Sequence, residues 1–286
     1  MAEIIKGARI ANAICAELRE SAAALKERGI IPKLNIIRVG ARPDDLSYER
    51  NALKRADSVG VAVDITELSD NASQEELLHA LKRASDATDV HGILLFRPLP
   101  QGIDDVRARA AIIPDKDVDG ITDASLAGVF CGTKVGFPPC TAQACVEMLK
   151  RSNIELAGKN VTVVGRSLVI GRPVAMMLMH ENATVTVCHT RTRDVAAKCR
   201  EADIVIAASG RAGMITANYV NTHQTVIDVG INFTADGKLV GDVLFDEVEP
   251  VVSAVTPVPG GVGSVTTAVL MSHVIDSAMR TQTSTD

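Results

Sequence analysis

Apolar runs of strand length alternate with segments of helical periodicity along almost the whole 286-residue chain, and nothing else in the sequence restricts the fold as much. Residues 8–28 carry apolar positions at helical spacing and stop at Gly29. KLNIIRVG then reads as a buried strand ended by Gly40. DDLSYERNALKRADSVG reads as a helix capped by Asp44 or Asp45 and closed by Gly60. VAVDITEL follows as a strand, SQEELLHALKRA as a helix opened by a Ser-x-x-Glu capping box, and VHGILLFRPLP as a strand broken by prolines. After the Pro-rich FPPC the alternation restarts with the helix of TAQACVEMLKRSN. NVTVVGRS, ATVTVCHT, DIVIAASG and TVIDVGIN are strands, with GRPVAMMLMHEN and DVAAKCREA as helices among them. Strands joined through helices run parallel, because each return needs a crossover. The expectation is α/β in two domains, 1–140 completed by a C-terminal helix at 266–280, and 141–265. The polar tail RTQTSTD is expected to fray.

Composition narrows the function. Net charge is −5 and no run of Lys or Arg exceeds two residues, so a nucleic-acid or anionic-membrane surface is not expected. The longest apolar runs are too short to span a bilayer. The six cysteines form no C-x-x-C pair and stand at no zinc-ligand spacing from a histidine, so no metal site is expected. They read as reduced thiols in the cytoplasm. With no Trp, two Tyr and five Phe, the core must be aliphatic, and each Tyr becomes a candidate in its own right.

The strand VTVVG runs into Gly165, Arg166 and Ser167, then Gly171 and Pro173 at the start of a helix. A glycine at a strand end lets backbone approach a phosphate, and the following helix N-terminus favours the anion. The spacing departs from G-x-G-x-x-G, so it does not by itself separate a dinucleotide loop from an ordinary βα turn. The next strand adds to the case. A site for NAD places an acid near its end, whereas here His189, Thr190, Arg191 and Thr192 follow. With Arg166, these cations and hydroxyl suit a 2′-phosphate, and so NADP. Asp228, Gly230 and Ile231 close a later strand, where ligands of open α/β sheets gather. TPVPGGVGSVTT supplies a side-chain-poor loop able to present backbone amides to a flat ligand.

KDVDG (116–120), PCT (139–141), VVGRSxxxGxP (163–173), VIDVGIN (226–232), GDV (241–243) and TPVPGGVG (256–263) fall in one order and spacing over nearly the whole chain. In this the chain resembles the bifunctional methylenetetrahydrofolate dehydrogenase/cyclohydrolase family of one-carbon metabolism. The resemblance implies an N-terminal α/β domain for folate, a Rossmann-like domain for NADP, a cleft between them, and a homodimer. It matches Asp119 to the aspartate that hydrogen-bonds the pterin and Tyr48 to the tyrosine that packs on the folate. Leu95, Pro98, Leu99, Pro259, Gly260 and Gly261 become folate-lining positions. Arg166, Ser167 and Thr190 become cofactor-phosphate positions, with Arg191 beside them. Thr141, Gly165, Gly171, Pro173, His189, Ser209, Gly210, Asp228, Gly230, Ile231, Gly263 and Thr266 complete the implied NADP surface. The chemistry agrees: a carboxylate accepts from a pterin's ring N–H and amine, and an aromatic face stacks a heterocycle.

Two departures bear on activity. The family helix commonly reads Tyr-x-x-x-Lys, the lysine serving hydrolysis, and here Ala52 stands in that place. Lys54 is not equivalent: at roughly 100° per residue it lies about 120° from Tyr48 around the helix, against about 40° for Ala52. The family strand commonly ends QLPLP, and Phe96 replaces the glutamine. Ala142, Ala144 and Ser264 are smaller departures. The expected activity is NADP-dependent oxidation of 5,10-methylenetetrahydrofolate with the cyclohydrolase step weak or absent. The alternatives are a fully bifunctional enzyme in which Lys54, Arg50 or Arg97 acts instead, and a binding protein that kept the scaffold. A hydroxy-acid dehydrogenase would need a histidine–carboxylate pair, which no motif around the six histidines nominates.

Overall fold

The computed structural model describes residues 1–283. In chain order the regular elements begin with β1 (Glu3–Ile4), α1 (Gly7–Glu27), β2 (Lys33–Val39), α2 (Pro43–Val59) and β3 (Ala62–Leu68). Next come α3 (Gln74–Asp86), β4 (Gly92–Leu95), α4 (Asp105–Ala110), α5 (Asp123–Cys131) and α6 (Cys140–Arg151). The second alternation is β5 (Asn160–Val164), α7 (Gly171–His180), β6 (Thr184–Cys188), α8 (Val195–Arg200), β7 (Ile204–Ala207) and β8 (Thr225–Asp228). The chain closes with β9 (Asn232–Phe233), β10 (Leu239–Val240), α9 (Phe245–Val248), β11 (Ala254–Val255) and α10 (Gly263–Thr283). Arg280–Thr283 of the tail expected to fray are thus helical, and Ser284, Thr285 and Asp286 lie outside the described residues.

The chain divides into two compact units. One holds Met1–Asn12 and Thr141–Thr266, the other Ala13–Cys140 and the residues from Thr267 on. The first unit is a six-stranded sheet in the order β1-β11-β8-β7-β5-β6, with every pairing parallel. The second is a three-stranded parallel sheet, β3-β2-β4. A short antiparallel pair, β9 with β10, stands apart. The sequence reading gives residues 1–140 to one domain, but Glu3 and Ile4 pair with Ala254 and Val255. A two-residue strand carries no period, and its partner lies at the far end of the chain. No helix among the described residues is long and apolar enough to cross a membrane.

The cores follow the composition. Val205, Ala207, Val226 and Val255 pack from the six-stranded sheet with Cys188 and Cys199. Ile37, Leu77, Leu81, Ile93 and Leu95 fill the three-stranded unit. All six cysteines are free thiols.

Local signals place the helices that matter. Ser73 Oγ accepts from Glu76 N (3.3 Å) while the Glu76 carboxylate accepts from Ser73 N (2.7 Å), the reciprocal cap expected of α3. At α2 the expected cap is replaced. Pro43 takes the first helical position, where no N–H is needed, and Arg42 is the capping residue. Asp45 lies inside the first turn and receives the Arg42 guanidinium at 2.8 and 2.9 Å. The buried Arg38 on β2 donates to Glu49 (3.0 Å), Glu67 (2.9 Å) and Gly40 O (2.5 Å). One guanidinium thereby fixes α2, and the Tyr48 it carries, against β2 and β3.

Lys116 is buried and donates to the carbonyls of Ala84 (3.2 Å), Ser85 (2.7 Å) and Ala87 (2.6 Å) at the C-terminal end of α3. Those carbonyls have no partner within the helix, and the helix dipole favours a cation there. Burial lowers the ammonium pKa from its ordinary value. Lys116→Met keeps the apolar stem and removes the donors. We expect a loss of about 2 kcal/mol in urea unfolding, with the slope unchanged.

Candidate active site

Tyr48 is half-buried on α2, and Phe96, just past β4, meets it edge-on with ring centroids 5.8 Å apart and planes at 81°. Ala52, one turn along the same helix face, is completely buried. Lys54 is exposed, turned outward as its helix angle requires. The cation that shares the Tyr48 face is Arg55, seven residues on and only about 20° around the helix. It is half-buried and donates to Cys15 Sγ (3.3 Å) and Thr267 Oγ1 (3.4 Å). Periodicity alone could have singled it out. Leu95 is buried, Leu99 half-buried and Pro98 exposed, after a cis Arg97–Pro98 bond. Arg97 spends its guanidinium on Asp105, at 2.5 and 2.7 Å.

The two aspartates of KDVDG do different work. Asp117 is fully buried and accepts from Ile121 N (3.0 Å), Thr122 N (2.7 Å) and Ser125 Oγ (2.6 Å). It builds the turn into α5. Asp119 is only partly exposed, and its carboxyl sits deep among protein atoms. Burial, then the neighbouring Asp117 charge, raises it to about 7, against a hydrogen bond from the Cys140 thiol and the charge of Arg97. Sequence spacing could not separate these two acids, because both stand in a turn ending at Gly120. Behind them, His273 of α10 donates from Nδ1 to Val118 O (2.7 Å), and Cys140 Sγ lies 3.2 Å from the same oxygen. The His273 ring stacks on Phe137, with centroids 4.8 Å apart, and the Arg280 guanidinium lies 4.1 Å above Phe137. Burial lowers the imidazole pKa to about 4, so it is neutral.

In the six-stranded unit, Gly165 turns the chain after β5 with φ 136°, and a Cβ there would meet Ala208 O at 2.0 Å. A Cβ on Gly171 would meet Gly165 O at 2.2 Å. The glycines therefore let strand end and helix start touch. Pro173 is buried in the first turn of α7, whose N-cap, Ile170, gives no side-chain bond. Ser167 supports the loop instead, its Oγ accepting from Ile170 N (3.1 Å) and its carbonyl from Arg172 N (3.0 Å). Beyond β6, Thr192 Oγ1 accepts from His189 N (2.9 Å) and His189 Nδ1 from Arg191 N (3.1 Å). This tight turn leaves Thr190 and Arg191 exposed, as Arg166 is. The nearest acid, Asp194, caps α8 through Ala197 N (3.0 Å). Two exposed guanidinium groups, and a turn after β6 whose nearest acid in sequence already caps α8, fit a dinucleotide that carries an extra phosphate.

Asp228 is placed differently from the cofactor contact expected of it. Its oxygens accept from Gly230 N (2.9 Å), Asp242 N (3.0 Å) and Val243 N (3.0 Å), so it serves the loop. Burial raises it to about 6, with the Asp242 charge pushing the same way and the three backbone bonds opposing. Asp242, fully buried, accepts in turn from Ser209 N (2.5 Å), Ser209 Oγ (2.9 Å), Gly210 N (2.8 Å) and Asn232 Nδ2 (2.9 Å). A Cβ on Gly230 would lie 2.3 Å from the Asp242 carboxylate, and one on Gly241 would lie 1.8 Å from that of Asp228. VIDVGIN and GDV are thus two halves of one lock, which aims Ser209, Gly210 and the exposed Ile231. Thr141 is half-buried near the start of α6, and Thr266 spends its hydroxyl on Gly263 O (3.0 Å). In the 257–261 loop, Gly260 has φ 101° and its carbonyl accepts from Gly7 N (2.9 Å). Gly261 is buried, while Pro259 and Gly263 are exposed.

Asp119 gives a pH-dependent signature. Its pKa is higher in the fold than in the unfolded chain. Its contribution to stability is therefore full at low pH and is lost as the pH rises through about 7. Asp119→Asn has no charge to bury. The Tm of this variant, without ligands, should exceed that of the parent chain at pH 8 by clearly more than at pH 5, read by differential scanning fluorimetry.

Two family models cover the chain. The catalytic domain of tetrahydrofolate dehydrogenase/cyclohydrolase matches residues 5–119, and the NAD(P)-binding domain of the same family matches 139–282. A bifunctional protein FolD from Carboxydothermus hydrogenoformans is 50% identical over 277 residues, 96% of this chain and 96% of that protein. The crystal structure of the Campylobacter jejuni bifunctional FolD enzyme superposes with a TM-score of 0.95 at 37% identity, over 98% of this chain and 100% of that one. The Trypanosoma brucei FolD structure, in complex with NADP and an inhibitor, gives a TM-score of 0.93 at 37% identity, over 98% of each chain. With both models matched in order and relatives aligned from end to end, this chain belongs to the tetrahydrofolate dehydrogenase/cyclohydrolase family.

Proposed function

We propose that the chain oxidises 5,10-methylenetetrahydrofolate to 5,10-methenyltetrahydrofolate with NADP+, and that its cyclohydrolase step is weak or absent. The observation that carries the second half is the Phe96 ring set edge-on against Tyr48, beside a sealed Ala52. Family chemistry would put a glutamine and a lysine there. NADP+, when bound, accepts the hydride. The chain's own task in that step is positioning, because the folate nitrogens stabilise the cation left behind. Tyr48 offers an aromatic face to the heterocycle and Asp119 accepts from its N–H groups. Ser167, Arg166, Thr190 and Arg191 bind the phosphates.

Hydrolysis makes a further demand, for a group that activates water and moves a proton, worth on the order of 10²–10⁴ in rate. Arg55 cannot supply it, since a guanidinium stays charged, and Lys54 faces outward. The second reading, a fully bifunctional enzyme, is favoured by the names of the relatives, which call them bifunctional. Lys54→Ala would then abolish hydrolysis and spare hydride transfer. Six free cysteines support a reducing compartment such as the cytoplasm. The homodimer rests on family resemblance.

Following methenyltetrahydrofolate during turnover with NADP+ tests the reading. The intermediate should accumulate and decay near its uncatalysed rate, whereas prompt appearance of the 10-formyl product overturns the claim. Ala52→Lys with Phe96→Gln should raise hydrolysis at least about tenfold, with the dehydrogenase reaction retained. Arg191→Ala should lower kcat/KM for NADP+ roughly 10- to 100-fold while leaving the reaction with NAD+ nearly unchanged.

A further inference from the structure

β5 and β6 pair in parallel with Val164 beside Cys188, and Gly165 N donates to Cys188 O at 2.9 Å. The loop that carries Arg166 and Ser167 and the turn that carries Thr190 and Arg191 therefore leave the same end of the sheet on neighbouring strands. Three hydrogen bonds close that turn. Thr192 N donates to His189 O (2.8 Å), His189 N to Thr192 Oγ1 (2.9 Å), and Arg191 N to His189 Nδ1 (3.1 Å). The last is the contact by which an Asn or Asp side chain takes the N–H two residues on. Here a half-buried imidazole makes it. Because an amide can only donate, Nδ1 carries no proton. The ring proton sits on Nε2, and the ring is neutral while the bond is made.

An aspartate at this position could close the turn in the same way. It would also set a carboxylate among the phosphate positions, with a second oxygen left to accept from ribose hydroxyls, which is how sites for NAD are built. We propose that His189 is a specificity-determining residue for the cofactor: its Nδ1 supplies the acceptor that the 189–192 turn needs, without the negative charge that would repel a 2′-phosphate. Thr190 and Arg191 stand exposed on the turn so formed, as Arg166 does on the neighbouring loop. The nearest acid in sequence, Asp194, is committed to Ala197 N at the start of α8 (3.0 Å).

The proposal rests on Arg166, Thr190 and Arg191 being cofactor-phosphate positions, so one arm of the test needs no cofactor. In ligand-free protein labelled with 15N-histidine, at pH 8, the His189 signals are assigned by their absence in His189→Asn. Nδ1 should show the shift of an unprotonated ring nitrogen and Nε2 that of an N–H, and the opposite tautomer overturns the proposal. The second arm measures Kd for NADP+ and NAD+ by isothermal titration calorimetry. His189→Ala loses the acceptor and should weaken NADP+ about tenfold, with a smaller effect on NAD+. His189→Asn keeps a neutral acceptor and should recover most of that loss. His189→Asp should weaken NADP+ at least about 30-fold and tighten NAD+ about threefold or more, reversing the preference.

A folded His189→Asn as weak as His189→Ala overturns the proposal, as does a His189→Asp that binds both cofactors as His189→Asn does. Arg191→Ala, measured alongside, separates this failure from that of the site. If it weakens NADP+ while His189→Asp does not, the proposal falls alone. If neither does, the reading of the turn as a phosphate site falls with it.

Discussion

Loops leaving the ends of parallel strands must satisfy their backbone N–H groups without help from a neighbouring strand, and here buried carboxylates accept them. Asp117 takes two N–H groups and a hydroxyl at the turn into α5. Asp228 takes three N–H groups, and Asp242 takes two with a hydroxyl and an amide. A buried N–H left unmade costs about 1–3 kcal/mol, so each acid is worth more to its loop than a surface ion pair would be. The glycines opposite them follow as a steric consequence. Gly230 and Gly241 are where a Cβ would strike the facing carboxylate.

That economy sets Asp117, Asp228 and Asp242 apart from Asp119. A carboxylate surrounded by backbone donors is committed to its loop. Asp119 has no such set of backbone donors; burial and the neighbouring Asp117 charge raise it to about 7. A pterin edge would supply the N–H donors that the fold withholds from it. The contrast with Asp117, two residues away, shows how sharply the local donor supply assigns the roles.

The face of α2 makes the same point for hydrolysis. Tyr48, Ala52 and Arg55 share it, and Phe96 covers its upper end. The contact there is apolar, with Phe96 edge-on to Tyr48 and Ala52 completely buried. Hydride transfer asks for placement, and hydrolysis for a titrating side chain in place.

Much of this was legible in the residues. The strand–helix alternation determined two parallel α/β sheets, the Ser73–Glu76 box set the start of α3, and the Gly165–Gly171 pair marked a tight βα turn, because each is a local signal with a period or a fixed offset. The helix angle was enough to turn Lys54 away from Tyr48. Spacing could not place β1 beside β11, separate Asp117 from Asp119, commit Asp228 to its loop, or bring His273 to Val118. Those outcomes depend on which donors and acceptors meet across long stretches of chain, and hydrogen-bond partners far apart in sequence leave no spacing to read.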